Sequence, residues 1–445
     1  MDGLLTNMNW LNFFYNKTTH LRHSFGRGIN ATISPKEEEL FDKSYEAFEK
    51  GEMLKAYEYF FKSLENFSLD SSNKNIITNL QDDFLEFEIF QGSAKITGVV
   101  TADKLYAQAI IIKKEDAQVA LKRYLLQRNY QLTYACYFYD DEFIKLKLIQ
   151  DNITASPQKI FFPLREIALT ADFDKEFIKS EFSSITLEDT QHLVKLSDNE
   201  LKIKYDFLHL WIDELEVKIS TLPTNDNAGM QSFLYLNFIF KMDYLLVPKC
   251  EIYQKVSKKV QSYFNDESIS PEAKNEELKR YIQKLKVMTY KDFSSKFYNA
   301  KYTFNPLEKS SQEEINNFIS ESQIKIRWYK NNRYKQIISS IYTYVPFNIL
   351  YNYGLNPITK SLLHTLVEIQ NPSFFKALDY TPLYDEEKNT FFKKAIIARV
   401  DEAILPNQKQ FKSLEVFGDK LNFSSMNELS NSYLLQLKHL DFEEV

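Results

Sequence analysis

The stretch FLEFEIF at residues 84–90 constrains the fold of this chain more than any other. Leu85, Phe87 and Ile89 alternate with Glu86 and Glu88, so one face is apolar and the other charged. That period of two belongs to a half-buried strand; on a helix it would scatter the apolar residues around the axis. A turn at Gly92 and Ser93 leads into AKITGVV, and KLYAQAIIIKK supplies a third strand, so a meander is expected. EDAQVALKRYLLQRN then sets Ala117, Ala120, Leu121, Tyr124 and Leu125 on one helical face and stops at Asn129. YQLTYACYFY and FIKLKLIQ flank an acidic DDE turn as a hairpin, with Leu132, Tyr134, Cys136 and Phe138 expected to face the core. After KIFFPLREIAL, a helix over about 172–182 closes the unit.

Elsewhere the period is helical. Only 9 Gly and 12 Pro interrupt 445 residues, below the usual levels of about 7% and 5%, which favours long helices. From residue 186 onward only helices are expected. ELKIKYDFLHLWIDELEVKISTL ends before Pro223, and a run from Met230 to Phe264 follows it. A fresh start comes at Ser270 and Pro271, with Glu272 in the first turn. Further helices are expected over 271–290, 311–341, 357–370, 385–404 and 426–440, punctuated by Pro306, Pro346, Pro357, Pro372, Pro382 and Pro406. The most hydrophobic run, Phe233 to Val247, contains Lys241 and Asp243. It therefore reads as a buried core helix; a membrane span needs about 20 mostly apolar residues.

The expected class is α+β: an N-terminal helical hairpin, a small antiparallel-sheet domain with packed helices, and a large all-α C-terminal domain. The boundaries fall at 1–35 (amphipathic segment and linker), 36–70 (hairpin), 71–185 (sheet domain) and 186–445 (helical domain). Hydrophobic residues at 44% and aromatics at 15% are enough to fill two or three cores in a chain of this length. In residues 4–15, Leu4, Met8, Leu11 and Tyr15 stand at helical spacing with Trp10, Phe13 and Phe14 beside them. This is the one membrane-surface candidate, although docking on the protein's own core is the commoner use of such a stripe. SFGRG at 24–28 reads as a linker or turn.

Residues 36–67 hold two helical patterns separated by KGEM. With Gly51 at the turn, Ser44 takes a small position and Phe48 an apolar one, while Ala56, Phe60, Ser63 and Leu64 follow as small, aromatic, small and aliphatic. This resembles one tetratricopeptide repeat, with Ala47 where an aromatic is common and Ser68 near the usual closing proline. The resemblance implies an interaction surface. Such a unit leaves one face unburied unless it is stacked, so a lone one is expected to lean on the neighbouring sheet domain. The order helix, three strands, helix, two or more strands, helix in turn resembles type III secretion chaperones and YbjN-like bacterial proteins. That likeness implies binding of protein segments and dimer formation, and it carries over no functional residue.

Catalytic patterns fail one by one. The six histidines, His20, His23, His192, His209, His364 and His439, are scattered, and only HLRH brings two close together without a third ligand. Cys136 and Cys250 lack metal or redox spacing, which fits a reduced compartment. GRG at 26–28 lacks the Gly and Lys of a phosphate loop. Asp82 with Asp83, and Asp140 with Asp141 and Glu142, are expected to be turn residues, since paired carboxylates do acid–base work only in a cleft that splits their pKa values. No metal and no cofactor are expected.

The densest surface signal is KIRWYKNNRYK, which gives Lys325, Arg327, Trp328, Lys330, Arg333 and Lys335 as a candidate interaction surface interleaved with Tyr329 and Tyr334. Cations beside stacking aromatics suit a single strand of nucleic acid, but a net charge of −6 and the acidic segment upstream argue against that partner. Asp2, where a secretory leader carries positive charge, points to the cytoplasm. The expected role is therefore non-enzymatic protein–protein interaction, as an adaptor or chaperone-like protein, with another protein as partner and a homodimer as an open alternative. The alternative from another class is an enzyme or small-molecule binder with a pocket in the helical domain, holding His209 or His364 beside carboxylates.

Overall fold

The computed structural model describes residues 23–28, 31, 34–66, 74–182, 184–223, 227–332 and 334–443; the segment 4–15 and Arg333 lie outside them. Fifteen helices and a six-stranded antiparallel sheet are found among the described residues, an α+β fold with a large helical part.

The hairpin is α1 (Pro35–Glu49) and α2 (Met53–Ser63). Ser34 caps α1 by accepting from the Glu37 N–H, while Glu37 reaches back to the Ser34 N–H, so two helix-end donors are satisfied reciprocally. Gly51, at φ +74°, turns the chain. Small side chains let the helices touch: Ser44 is buried and its hydroxyl donates to the Ala56 carbonyl at 2.8 Å. The apolar side of α2 is spent on the sheet. Tyr57, Phe60 and Phe61 are fully buried, the Phe61 ring packs tilted against Phe87 with centroids 4.5 Å apart, and the Tyr57 hydroxyl donates to Asn152 Oδ1 at 2.7 Å. At about 1.5–3 kcal/mol for each large side chain buried, these three residues anchor the hairpin on the sheet.

The sheet runs β1 (Ile76–Leu80), β2 (Leu85–Gln91), β3 (Ala94–Val100), β4 (Lys104–Lys113), β6 (Phe143–Asp151), β5 (Ala135–Tyr139) in spatial order, every pair antiparallel. Leu85, Phe87 and Ile89 face the core as the alternation requires. The edge strand β1 was not expected, because IITNL buries Ile76 and leaves Ile77, Asn79 and Leu80 exposed, with no apolar rhythm to read. Helix α3 (Val119–Asn129) links β4 to β5 and buries Leu121 and Leu125, with Ala120 exposed.

Two expectations about this unit are corrected. The closing helix, α4, spans Pro157–Glu181 and so begins well before residue 172. Ser156 caps it, Pro157 opens it, and the interior Pro163 is tolerated. The Lys159 carbonyl that Pro163 cannot bond accepts from Gln150 Nε2 at 3.3 Å. In β5, moreover, Ala135 and Tyr137 face the core, and Cys136 is exposed. The register is pinned from α4: the Thr133, Tyr134 and Ala135 N–H groups all donate to Glu166, and the Tyr137 hydroxyl donates to the buried Asp174 at 2.6 Å. With aromatics on both sides of the strand, a one-residue slip could not be told from hydrophobicity.

The helical part is α5 (Asp198–Ser220), α6 (Ala228–Leu246), α7 (Cys250–Asn265), α8 (Pro271–Lys286), α9 (Tyr290–Ser294), α10 (Gln312–Asn331), α11 (Ile338–Asn352), α12 (Pro357–Gln370), α13 (Pro372–Ala377), α14 (Lys393–Ile404) and α15 (Met426–Lys438). It is not purely helical: β7 (Val194–Lys195) pairs with β8 (Tyr298–Asn299), and β9 (Tyr384–Asp385) with β10 (Thr390–Phe391), which replaces the start of the helix expected over 385–404. The run 311–341 is two helices joined by a short 3-10 turn at Lys335–Ile337. Pro346 sits inside α11 instead of ending a helix, and the Tyr342 carbonyl it frees accepts from Gln370 Nε2 at 3.2 Å. The run from Met230 to Phe264 is also two helices, broken at Val247-Pro248-Lys249, with Val247 and Cys250 at φ +55° and +52°. Left-handed backbone at a β-branched residue costs about 1–2 kcal/mol and needs its surroundings to hold it.

SFGRG is no linker. Phe25 is buried in the helical core against Tyr244, His364 and Phe375, and the Gly26 N–H donates to the Tyr244 carbonyl at 2.9 Å. Gly26 (φ +73°) leaves no room for a Cβ, which would stand 2.8 Å from the Tyr244 ring. A second strap, residues 301–306, crosses in the other direction. Gly92 donates to the Lys301 carbonyl, Gln91 Oε1 accepts from the Thr303 and Phe304 N–H groups, and Phe304 enters the core beneath the sheet. Among the described residues no helix is long and apolar enough to cross a membrane.

Candidate functional site

Two features stand out from the packed cores. The first is the outer face of the sheet. The inner face is covered by α2 and α4; the outer face forms a trough of about 610 Å³ lined by residues such as Glu88, Thr97, Val99, Tyr106, Gln108 and Lys147. Its apolar side chains are open, with Ile77 47%, Tyr106 39% and Ile149 49% exposed. The pairing registers align Glu88, Thr97, Gln108 and Lys147 in one row across β2, β3, β4 and β6, and Glu86, Val99, Tyr106 and Ile149 in the next. Acid therefore lies one strand to one side of the β3–β4 centre and base one strand to the other. Among the described residues, the end at Phe90 and Lys95 is the part overlain, by Asp189 (3.2 Å from Lys95) and by the His192 ring.

The second feature is a polar seam between the sheet unit and the helical part. Asp172 and Glu176, one turn apart on α4, face the Val247–Cys250 turn and residues 298–302. Glu176 accepts from the Cys250 N–H and the Tyr298 hydroxyl; burial, reinforced by Asp172 and opposed by Lys249, pushes its carboxyl up to about 7. Asp172 is also raised by burial, though it accepts from the Ser93 N–H at 2.7 Å and the Ser93 hydroxyl at 2.9 Å. Gly92, at φ +55°, makes room, since a Cβ there would overlap the Asp172 carboxylate. Lys175, brought down to about 8 by burial, donates to the Ser93, Glu188 and Asp189 carbonyls. Arg27 is clamped by both Asp243 oxygens and by Ser257, with the Tyr253 and Tyr351 rings 4.1 and 4.5 Å away. Burial, then Glu176, raises the Cys250 thiol, so it is not poised as a nucleophile. Two cavities of about 310 and 320 Å³ lie along the seam and share Gly28, Val247, Lys249 and Tyr302 as their common wall.

Of the residues singled out from sequence, Lys325, Arg327, Trp328, Lys330 and Lys335 are exposed at the C-terminal end of α10 and its following turn. Trp328 stacks on Tyr334 at 6.2 Å, and Lys325 lies 6.0 Å over the Phe233 ring. His364 is buried between Tyr244 and Glu368, 3.1 Å from the Glu368 carboxylate, and both His209 nitrogens face the Tyr205 and Lys286 carbonyls. Neither lines the seam cavities. Asp140 closes its turn by accepting from the Glu142 and Phe143 N–H groups. Among the described residues no group of three His, Cys, Asp or Glu is placed to hold a metal. The seam itself escaped sequence reading, because two acids one turn apart are ordinary on a helix; Pro248 inside an otherwise helical run was the available signal. No protein-family model matches the sequence, and no curated protein matches it.

Proposed function

We propose that the protein is a non-catalytic interaction protein, adaptor- or chaperone-like, whose contact surface is the outer face of the sheet and whose first partner is a second copy of itself. The observation that carries this reading is the open trough, in whose central row Glu88 and Lys147 stand one strand to either side of the centre. A two-fold axis running along the strands, between two stacked sheets, sets each strand against its mirror in the order of the sheet. Glu88 then meets the partner's Lys147, Val99 meets the partner's Tyr106, and Thr97 meets the partner's Gln108. A two-fold axis across the strands would set Glu88 near the partner's Glu88, so charge selects the first arrangement. Packing two such faces is ordinary β-sandwich construction, and it would cover Ile77, Tyr106 and Ile149.

Light scattering on the full-length protein tests the proposal. The wild type is expected at twice the chain mass of 52.6 kDa, and Tyr106→Glu at the single mass with unchanged circular dichroism. A wild type that stays monomeric at every concentration sinks it.

A further inference from the structure

We propose that the second seam cavity is an anion site that takes the phosphate group of a small phosphomonoester. Its walls are the His23–Gly28 segment, residues 298–302, and three lysines, Lys204, Lys249 and Lys360, drawn from α5, the start of α7 and α12. None of the described residues lining it is acidic. Lys204 is offset by Glu200 at 2.9 Å. Among the described residues, neither Lys249 nor Lys360 has a carboxylate within 4.0 Å. Among the described residues Lys360 donates to the Gly28 carbonyl alone, at 3.3 Å. Lys249, just 8% exposed, donates to the Tyr302 hydroxyl; Asp172 and Glu176 feel its charge but line the other cavity.

Ammonium groups set this deep without an ion pair are costly, and proteins retain them where something else completes the pairing. Placement points the same way. Lys360 stands in the first turn of α12, and Lys249 occupies the N-cap of α7. A cation there opposes the helix dipole, so neither lysine is compensated by its own helix, and an anion between them would supply the missing charge. Burial lowers Lys360 to about 8, a direction that an anion would reverse. Tyr302 adds a donor: an ammonium only donates, so the phenol oxygen accepts from Lys249 and its own hydrogen remains available. Two ammonium groups lacking ion pairs match the charge of a phosphomonoester, about −1.5 to −2 at neutral pH, better than the single charge of a carboxylate.

The test uses the full chain, with glycerol phosphate as the probe and acetate as the comparison at equal ionic strength. Calorimetry and thermal melts are run on the wild type, Lys360→Met, Lys249→Met and the exposed control Lys325→Met. Glycerol phosphate is expected to bind and to raise the melting temperature of the wild type and of Lys325→Met. In Lys360→Met the ligand-free melting temperature should rise while affinity falls at least about ten-fold, the scale of one lost charge-assisted hydrogen bond. Lys249→Met provides the same reading of affinity if Lys360→Met does not fold. Acetate binding as tightly as the phosphomonoester, no binding by the wild type, or unchanged affinity in both lysine variants would each overturn the assignment.

Discussion

Glu176 shows how little of a residue's chemistry its neighbours in sequence reveal. In the sequence it is one acid among several on a helix; in the fold it lies against Cys250 and Tyr298, brought from far along the chain. Because its folded pKa of about 7 lies above the ordinary 4.5, the folded state holds the proton more tightly. The stabilisation is therefore complete below pH 4.5 and is lost as the pH rises toward 7. Urea denaturation across pH 4.5–8 should show wild-type stability falling relative to Glu176→Gln by up to about 3 kcal/mol over that window; two parallel profiles would refute the burial argument. Cys136 and Arg27 teach the same lesson from the opposite side. Alternation gave β5 as a strand but not which side faces in, because Glu166 and Asp174 decide that from another helix. Arg27 reads as a linker residue, since nothing local indicates that Asp243, 216 positions away, clamps it.

At the scale of elements the sequence was most legible where local signals carry their own physics. Ser270 caps its helix as its side-chain oxygen should, with Pro271 just inside the start. Strands β2, β3 and β4 follow from alternation. Elements were missed where a local rule was overruled by a distant partner: the interior prolines of α4 and α11 survive because glutamines satisfy the freed carbonyls, and β1 exists because it pairs with β2. The hairpin obeys the local rule. Ala56 is fully buried against Ser44, so Ala56→Arg should destabilise the protein by about 3 kcal/mol or more in urea denaturation, since it forces an unpaired charge between two helices. An unchanged midpoint would mean that the helices do not touch there.

For the molecule as a whole, the decisive arrangement is that, among the described residues, one sheet face is covered by helices and the other is not. The hairpin that resembles an interaction repeat uses its aromatic side beneath the sheet, so it supports the trough from behind and presents none of those aromatics to a partner. The straps at 24–28 and 301–306 tie the helical part to the sheet unit and create the seam whose lysines no single stretch of sequence brings together. Both surfaces depend on juxtaposition, which composition and period leave open.

The most direct measurement of the pairing account is light scattering on two charge-reversed variants, Glu88→Lys and Lys147→Glu, alone and mixed. Each alone sets like charges against each other across the two-fold axis and should run as a monomer. Their equimolar mixture restores an opposite pair on both sides and should run as a dimer. Variants that dimerise alone, or a mixture that stays monomeric, would contradict the claim that the outer sheet face is where this protein meets its own copy.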